Sequence, residues 1–439
     1  MRVAIVGTGV SGLVAARLLC TRHEVTVFEA ADRLGGHTHT REIVHDGRPW
    51  SVDSGFIVYN ERTYPNFVRL MEILGVETQE SEMSFSVRDE VSRLEWCGTN
   101  LDTLFAQRRN LLSLGFWRMI RDILRFNRES RALLDGDDEQ LTLGAYLKAG
   151  GYSRRFIEHY IVPMGAAIWS ASPEAMLEFP ALTFVRFFDN HGMLSIDERP
   201  VWRVVSGGSA QYLERLVQPF RSAIRMQSPV TRVRRLEQGV EVTVGDGEPE
   251  PFDAVVLAVH SDQALRMLAD SSSDERDILG ALPYQRNEAV LHTDERLLPT
   301  SRRARAAWNY VLPRDAQGTV SVTYDMNVLQ GLDAPVTFCL TLNPSQDIDP
   351  SKVIERLTYH HPVFNAEGIA AQRRRHEIDG QRGTHYCGAY WGYGFHEDGV
   401  RSALHVARQF GIESIEAAAL PARQPPLDAQ QPRLTPAIP

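Results

Sequence analysis

Residues 2–37 run RVAIVGTGVSGLVAARLLCTRHEVTVFEAADRLGGH. The apolar run Val3–Val6 predicts a buried parallel strand, and Leu13–Leu19, rich in alanine and leucine, predicts the helix after it. Between them stands Gly7-x-Gly9-x-x-Gly12, with Val10 and Ser11 at the helix entry. The first glycine permits a tight turn and the second lets backbone N–H groups approach a pyrophosphate. The third lets helix and strand pack closely. The phosphates would sit at the positive end of the helix. A second apolar strand, Val25–Phe28, runs into Glu29 and Ala30, so a carboxylate follows Gly9 by 20 residues, where it can accept hydrogen bonds from a ribose. A glycine triplet alone is weak evidence. One that follows a strand, opens a helix and is completed by an acidic residue predicts dinucleotide binding on a Rossmann-type unit.

Arg33-Leu34-Gly35-Gly36-His37-Thr38 follows at once, and an ordinary NAD unit has no reason to place a second glycine pair there. The stretch resembles the Arg-x-Gly-Gly-Arg signature of the FAD-dependent amine oxidase and phytoene desaturase superfamily. The resemblance implies FAD, with the glycines lying against its pyrophosphate and the final arginine contacting it. Here that final position is His37.

With 439 residues the chain is long enough for two or three domains. A net charge of −9 argues against nucleic acid as a partner. Cys20, Cys97, Cys339 and Cys387 are too scattered for a disulfide framework, metal site or redox pair. The first strand begins at residue 3, no signal peptide is read and no apolar run suggests a spanning helix, so the chain reads as cytoplasmic, in solution or peripheral on the inner membrane face. Lys148 and Lys352 are its only lysines.

Cofactor-type signals return twice. Ser228–Val244, with a turn at Gln238-Gly239, reads as two strands, and the apolar run Phe252–Ala258 reads as a buried strand after a turn at Gly245-Asp246-Gly247. This resembles the adenine side of the superfamily, with Val230 holding the adenine, and Trp202–Ser209 resembles its re-entry into the cofactor domain. The other return is 384–407, where Gly394-Phe395-His396-Glu397-Asp398-Gly399 leads into a helix carrying Ser402 and Ala403. By resemblance that helix points at the flavin, and Glu397 or Asp398 contacts it. The expected class is α/β (α+β overall): a Rossmann-type FAD-binding domain in three parts (1–88, 201–270 and 370–415) with a discontinuous substrate domain, helical over 89–200 and β-sheet over 271–369. Val320–Tyr324 and Thr337–Leu342 read as strands there, and 416–439 as a disordered tail.

The chemistry narrows by departures. Many amine oxidases of the superfamily use a substrate-domain lysine and a tyrosine two residues before the C-terminal glutamate. Neither lysine here sits where that one is expected, and Phe395 takes the tyrosine's place. The nearest resemblance is to bacterial flavoproteins encoded beside cyclopropane fatty acid synthase-like methyltransferases. It rests on Tyr160-x-x-Pro163-Met164-x-Ala166-Ala167-x-Trp169-Ser170, Tyr324-Asp325-Met326-Asn327, Leu342-Asn343-Pro344, His361-Pro362 and 394–399. It implies desaturation of a hydrophobic or acyl-lipid substrate, with oxygen or a quinone as external acceptor. An amine oxidase and a carotenoid-type desaturase or isomerase are the alternatives. The base for the proton could be His396, His191, Tyr324 or Asp325. Cys387 is either a covalent flavin anchor or a core thiol. Residues 104–134 interleave seven arginines with leucine and aromatic residues, which suits a membrane surface or a solvated arginine face over a packed core.

Overall fold

A computed structural model describes residues 1–195, 200–312, 321–344 and 348–423. The fingerprint folds as expected, with a strand at Arg2–Val6, a helix at Val10–Leu19 and a second strand at Glu24–Phe28. They lie in a five-stranded sheet ordered Ile224–Arg225, Glu24–Phe28, Arg2–Val6, Ala254–Leu257, Thr384–Tyr386, and every neighbouring pair is parallel. Such a sheet is buried on both faces, which explains its unbroken apolar strands. The first helix is buried at every residue and packs in one core with Val400, Ala403 and Ala407 of the last long helix, His396–Gln409. On the sheet's other face Val233, Val240 and Phe252 belong to an antiparallel meander of Val230–Arg235, Val240–Val244 and Glu250–Phe252. Its third strand is separate from Ala254–Leu257, where the sequence read a single run.

The second body is a seven-stranded sheet in the order Val353–Pro362, Tyr284–His292, Cys339–Leu342, Ser321–Asp325, Trp308–Leu312, Phe85–Asp89, Leu94–Cys97. Its last two strands straddle the boundary expected at residue 88, so the segment after it is not purely helical. The strand read from Val320 is described from Ser321, and Val320 itself lies outside the described residues. Helices between Leu101 and Asn190 cover this sheet with Phe116, Phe126, Phe156, Trp169 and Phe184 in one aromatic core. The expected tail does not begin at 416. Ile415–Ala419 forms a short 3-10 helix, with Arg17 donating to the Ala418 carbonyl at 2.6 Å and Arg423 N–H to the Cys20 carbonyl at 2.7 Å. Residues 424–439 lie outside the described residues. No helix among the described residues is long and apolar enough to cross a membrane.

Candidate functional site

The loop from Val6 to Val10 forms one wall of a cavity of about 770 Å³ between the two bodies. Gly7 has φ +100°, and a Cβ there would lie 2.5 Å from the Ala258 carbonyl oxygen. At Gly12 a Cβ would fall 2.0 Å from the Gly7 carbonyl oxygen, so this glycine serves packing and does not line the cavity. Gly9 differs: a Cβ would meet nothing within 4 Å, because the residue faces the cavity. Its helix has no side-chain cap and no acidic residue in its first turn, so the leading N–H groups are left to an anionic ligand. Glu29 accepts from Thr8 N–H at 3.1 Å, from the Thr8 hydroxyl, and from Ala31 N–H at 2.8 Å. The carboxylate is thereby fixed at the cavity wall beside Ala30. An uncapped helix N-terminus, a glycine open to the cavity and a fixed carboxylate fit a dinucleotide. Glu29→Ala should weaken FAD binding by about 1.5–3 kcal/mol, the value of a charge-assisted hydrogen bond. Flavin titration of the apoprotein measures this, and unchanged affinity would leave Glu29 only a loop-fixing role.

Gly35, Gly36 and His37 line the same cavity, and a Cβ on Gly36 would approach Gly9 Cα to 3.2 Å. Arg33 does not line it. Its guanidinium donates to the Gly36 carbonyl at 2.8 Å and so braces the turn. Thr38 is also turned inward, its hydroxyl 2.5 Å from the Tyr212 hydroxyl and 3.0 Å from His396 Nε2. Val230 lies at the far end with Gln263, Arg266 and Met267.

At the C-terminal motif, Gly394, Phe395 and His396 line the cavity, whereas Glu397, Asp398 and Ala403 do not. The Glu397 carboxylate accepts from Asn66 Nδ2 at 2.6 Å and Phe67 N–H at 3.0 Å, at the start of helix Pro65–Leu74. Asp398 accepts from Tyr393 N–H at 3.0 Å and Phe395 N–H at 3.1 Å, capping its own helix. Ala403 is buried against the first helix. The two acids organise helix starts, and the flavin contact expected of them stays an expectation.

Of the expected bases, His396 and Tyr324 line this cavity. Burial pushes His396 down to about 3. Its ring stacks on Phe56 with centroids 3.5 Å apart, and Nε2 faces Thr38 and Tyr212. His191 is pushed down by burial to about 4, its Nδ1 is 2.9 Å from the Phe187 carbonyl oxygen, and it lines a neighbouring cavity instead. Tyr324 faces the cavity, but burial raises its pKa, and Asp325, also raised by burial, caps the helix Met326–Gln330. Near neutral pH both histidines are uncharged and Tyr324 keeps its proton. Cys387 is fully buried and pushed up to about 12 by burial, and it does not line the cavity, which makes it a core thiol. Lys148 and Lys352 line none of the three cavities beside this site.

Three further wall segments were not read as site residues, although His361-Pro362 and Ala258 fall in stretches the sequence singled out. Ser54–Val58 follows the strand Arg48–Asp53 and presses on the glycine turn, with Phe56 N–H donating to the His37 carbonyl at 2.7 Å. Its signal was Gly55, where a Cβ would lie 2.0 Å from that carbonyl oxygen. Tyr359–Pro362 enters from the edge strand of the large sheet, and Ala258–His260 from the end of the central parallel one. His37, His260 and His361 form a group of neutral imidazoles there, all held below the usual histidine range chiefly by burial.

A second cavity, about 180 Å³, adjoins the first and shares Val58, Tyr64, Ile168, Trp308 and Phe395 with it. Met83, Phe85, Trp96, Met164, Phe187, Met193 and Trp202 complete an apolar wall, and no Asp, Glu, Lys or Arg lines it among the described residues.

The chain's residues 10–309 match the family model of flavin containing amine oxidoreductases. AofH of Mycobacterium tuberculosis, which carries the name of a flavin-containing monoamine oxidase, is 26% identical over 271 residues; these are 58% of this chain and 56% of that protein, just over half its length. Among solved structures, putrescine oxidase bound to putrescine superposes with a TM-score of 0.68 at 16% identity, covering 93% of this chain and 99% of that one. The fatty acid isomerase of P. acnes that produces CLA gives 0.66 at 17% identity, covering 93% and 98%. Identities this low speak for the fold alone. The family model, which spans more than half of the chain, makes it a member of the flavin containing amine oxidoreductase family, with FAD as its cofactor.

Proposed function

We propose that the protein is an FAD-dependent oxidoreductase that dehydrogenates a hydrophobic acyl-chain or other lipid substrate and passes the electrons to oxygen or a quinone. The observation that carries this reading is the apolar cavity beside the cofactor site. A substrate ammonium placed there would lose its hydration and find no carboxylate among the described residues to replace it. An alkyl chain loses nothing and gains burial at roughly 25 cal/mol per Å². Bound FAD supplies a hydride acceptor. The chain's part is to hold the reacting carbons against Trp308 and Phe395, which both cavities share, and to exclude water. The second hydrogen leaves as a proton, and His396 and Tyr324 in the cavity wall are the groups proposed to relay it to solvent.

A membrane face completes the reading. Helix Leu114–Glu129 buries Phe116, Met119 and Phe126 and turns Leu114, Trp117, Arg118, Arg121, Leu124 and Arg128 outward. Leu112 is 90% exposed and Leu114 87%. Leucine, tryptophan and arginine on one exposed face suit an anionic lipid surface, where each arginine contributes about 1 kcal/mol.

Amine oxidation is the second reading, favoured by family and by the faces of Trp96, Trp202 and Trp308, which could hold a cation. Anaerobic titration of the flavin separates the two. Long-chain or methyl-branched acyl lipids should bleach it, and primary amines and polyamines should not. Rapid bleaching by a simple amine would overturn the lipid reading. Reversing Arg118 and Arg121 to glutamate should weaken binding to anionic vesicles by about 2 kcal/mol or more without loss of FAD.

A further inference from the structure

A chain of amides whose orientations are all determined leads to His361 in the wall of the cofactor cavity. It starts at a backbone N–H, which can only donate: Glu288 N–H donates to Asn343 Oδ1 at 3.0 Å. Asn343 must therefore present Nδ2 to its neighbour, and it donates to Asn287 Oδ1 at 2.8 Å. Gln285 Nε2 donates to the same oxygen at 3.1 Å. Asn287 in turn presents Nδ2 to His361 Nδ1 at 3.1 Å. An amide nitrogen cannot accept, so Nδ1 must be the acceptor and the imidazole proton must sit on Nε2. The Ser170 hydroxyl, 3.1 Å from the same Nδ1, donates as well.

Nε2–H has no hydrogen-bond partner among the described residues, and it is not sealed from the cavity that His361 lines. Asn287, the amide bonded to His361, is fully buried. The residues around His361 say which part of the ligand it faces. It is bonded to Ser170, two residues after Ile168, which belongs to both the cofactor cavity and the apolar one. The His37 ring beside it, 5.6 Å between centroids, follows the glycine pair that packs on Gly9. The substrate must meet the flavin ring where the two cavities adjoin, and His361 stands on the cofactor side of that junction, absent from the apolar wall.

We propose that His361 presents a fixed Nε2–H donor to an acceptor atom of the bound flavin ring, with Asn287 and Asn343 as positioning residues that set its tautomer. The oxidised ring system offers nitrogen and carbonyl acceptors and a single N–H donor, so an imidazole locked as a donor matches it. A donor there stabilises the negative charge that gathers on the ring when it accepts electrons. The inference rests on FAD occupying the cavity and is independent of whether the substrate is a lipid or an amine.

Three readouts test it, none of them turnover. In the FAD-loaded protein, His361→Leu should shift the flavin absorption bands, lower the midpoint potential and weaken the sulfite adduct about tenfold, the effect of one lost hydrogen bond. His361→Gln, which keeps an N–H donor, should recover most of each. Nitrogen-15 spectra of the histidine-labelled wild type should show the Nε2–H tautomer, with its resonance moving on loading with FAD. A His361→Leu variant that holds stoichiometric FAD with unchanged spectrum, potential and sulfite affinity would overturn the proposal. So would a His361 resonance that ignores FAD, and this measurement decides the matter even if the leucine variant fails to fold.

Discussion

Gly12→Val is expected to abolish both FAD binding and soluble expression, while Gly9→Ala abolishes FAD binding alone. At position 12 even the first added carbon would sit 2.0 Å from the Gly7 carbonyl oxygen and 3.0 Å from the Ala258 Cβ. The obstacle is backbone, which cannot rotate out of the way, so helix Val10–Leu19 must lift from the strand it packs on. That helix is buried throughout and lies under the C-terminal helix, so the displacement spreads into the core. At Gly9 the added methyl meets only the space intended for the ligand. Circular dichroism and the ratio of flavin to protein absorbance separate the two outcomes. A fully yellow Gly12→Val protein would refute the assignment of this loop.

Arg235→Ala should cost about 3–5 kcal/mol of stability, the penalty for stranding a buried charge. The Arg235 side chain is 1% exposed and makes two bonds to Glu275, at 2.6 and 3.0 Å, and one from Nε to Asp270 at 2.7 Å. The Tyr386 hydroxyl donates to Glu275 at 2.6 Å. The cluster thus ties the meander, helix Ser273–Gly280 and the outer strand of the parallel sheet together. Burial pushes the Glu275 carboxyl up, but hydrogen bonds from Arg235 and Tyr386 outweigh it and hold it below the usual carboxylate range. A depressed carboxyl stabilises the fold above its unfolded pKa and loses that contribution as pH falls through the folded one. The gap between wild type and Arg235→Ala in denaturant unfolding should therefore be full at pH 7 and narrow below about pH 4. A variant within 1 kcal/mol of wild type at pH 7 would show that the cluster does not hold the meander.

What was legible in the sequence is what is local. The glycine fingerprint, Glu29, the glycine pair and the meander near Val230 each carry their geometry in a few consecutive residues, and the structure places them around one cavity. The walls contributed by Ser54–Val58 and Tyr359–Pro362 carry no such pattern. They become site residues only because an edge strand and a turn from distant parts of the chain are brought against the glycine turn. For Glu397 and Asp398 an acidic helix start looks the same in the sequence whether it faces a cofactor or caps a helix. Only the positions of Asn66, Phe67 and Tyr393 distinguish the two. The basic stretch 104–134 is divided into Arg108–Leu112, Leu114–Glu129 and Ser130–Asp135, a break that its arginine and leucine pattern does not mark. The Ser113 cap between the first two keeps Leu112 and Leu114 at the surface.

The strand order of the parallel sheet governs when in the protein's life it can acquire its colour. Val3 finds its partner in Ala254, and the next strand outward begins only at Thr384. At about 5–20 residues per second of synthesis, the first strand waits on the order of ten to fifty seconds for its neighbour. During that time its edge is open to other chains. The cavity wall needs Gly394–His396 as well, so nascent chains shorter than this carry the whole fingerprint and still have no place for FAD. Loading is therefore a late event, and cells starved of flavin should accumulate a finished chain, not an arrested one.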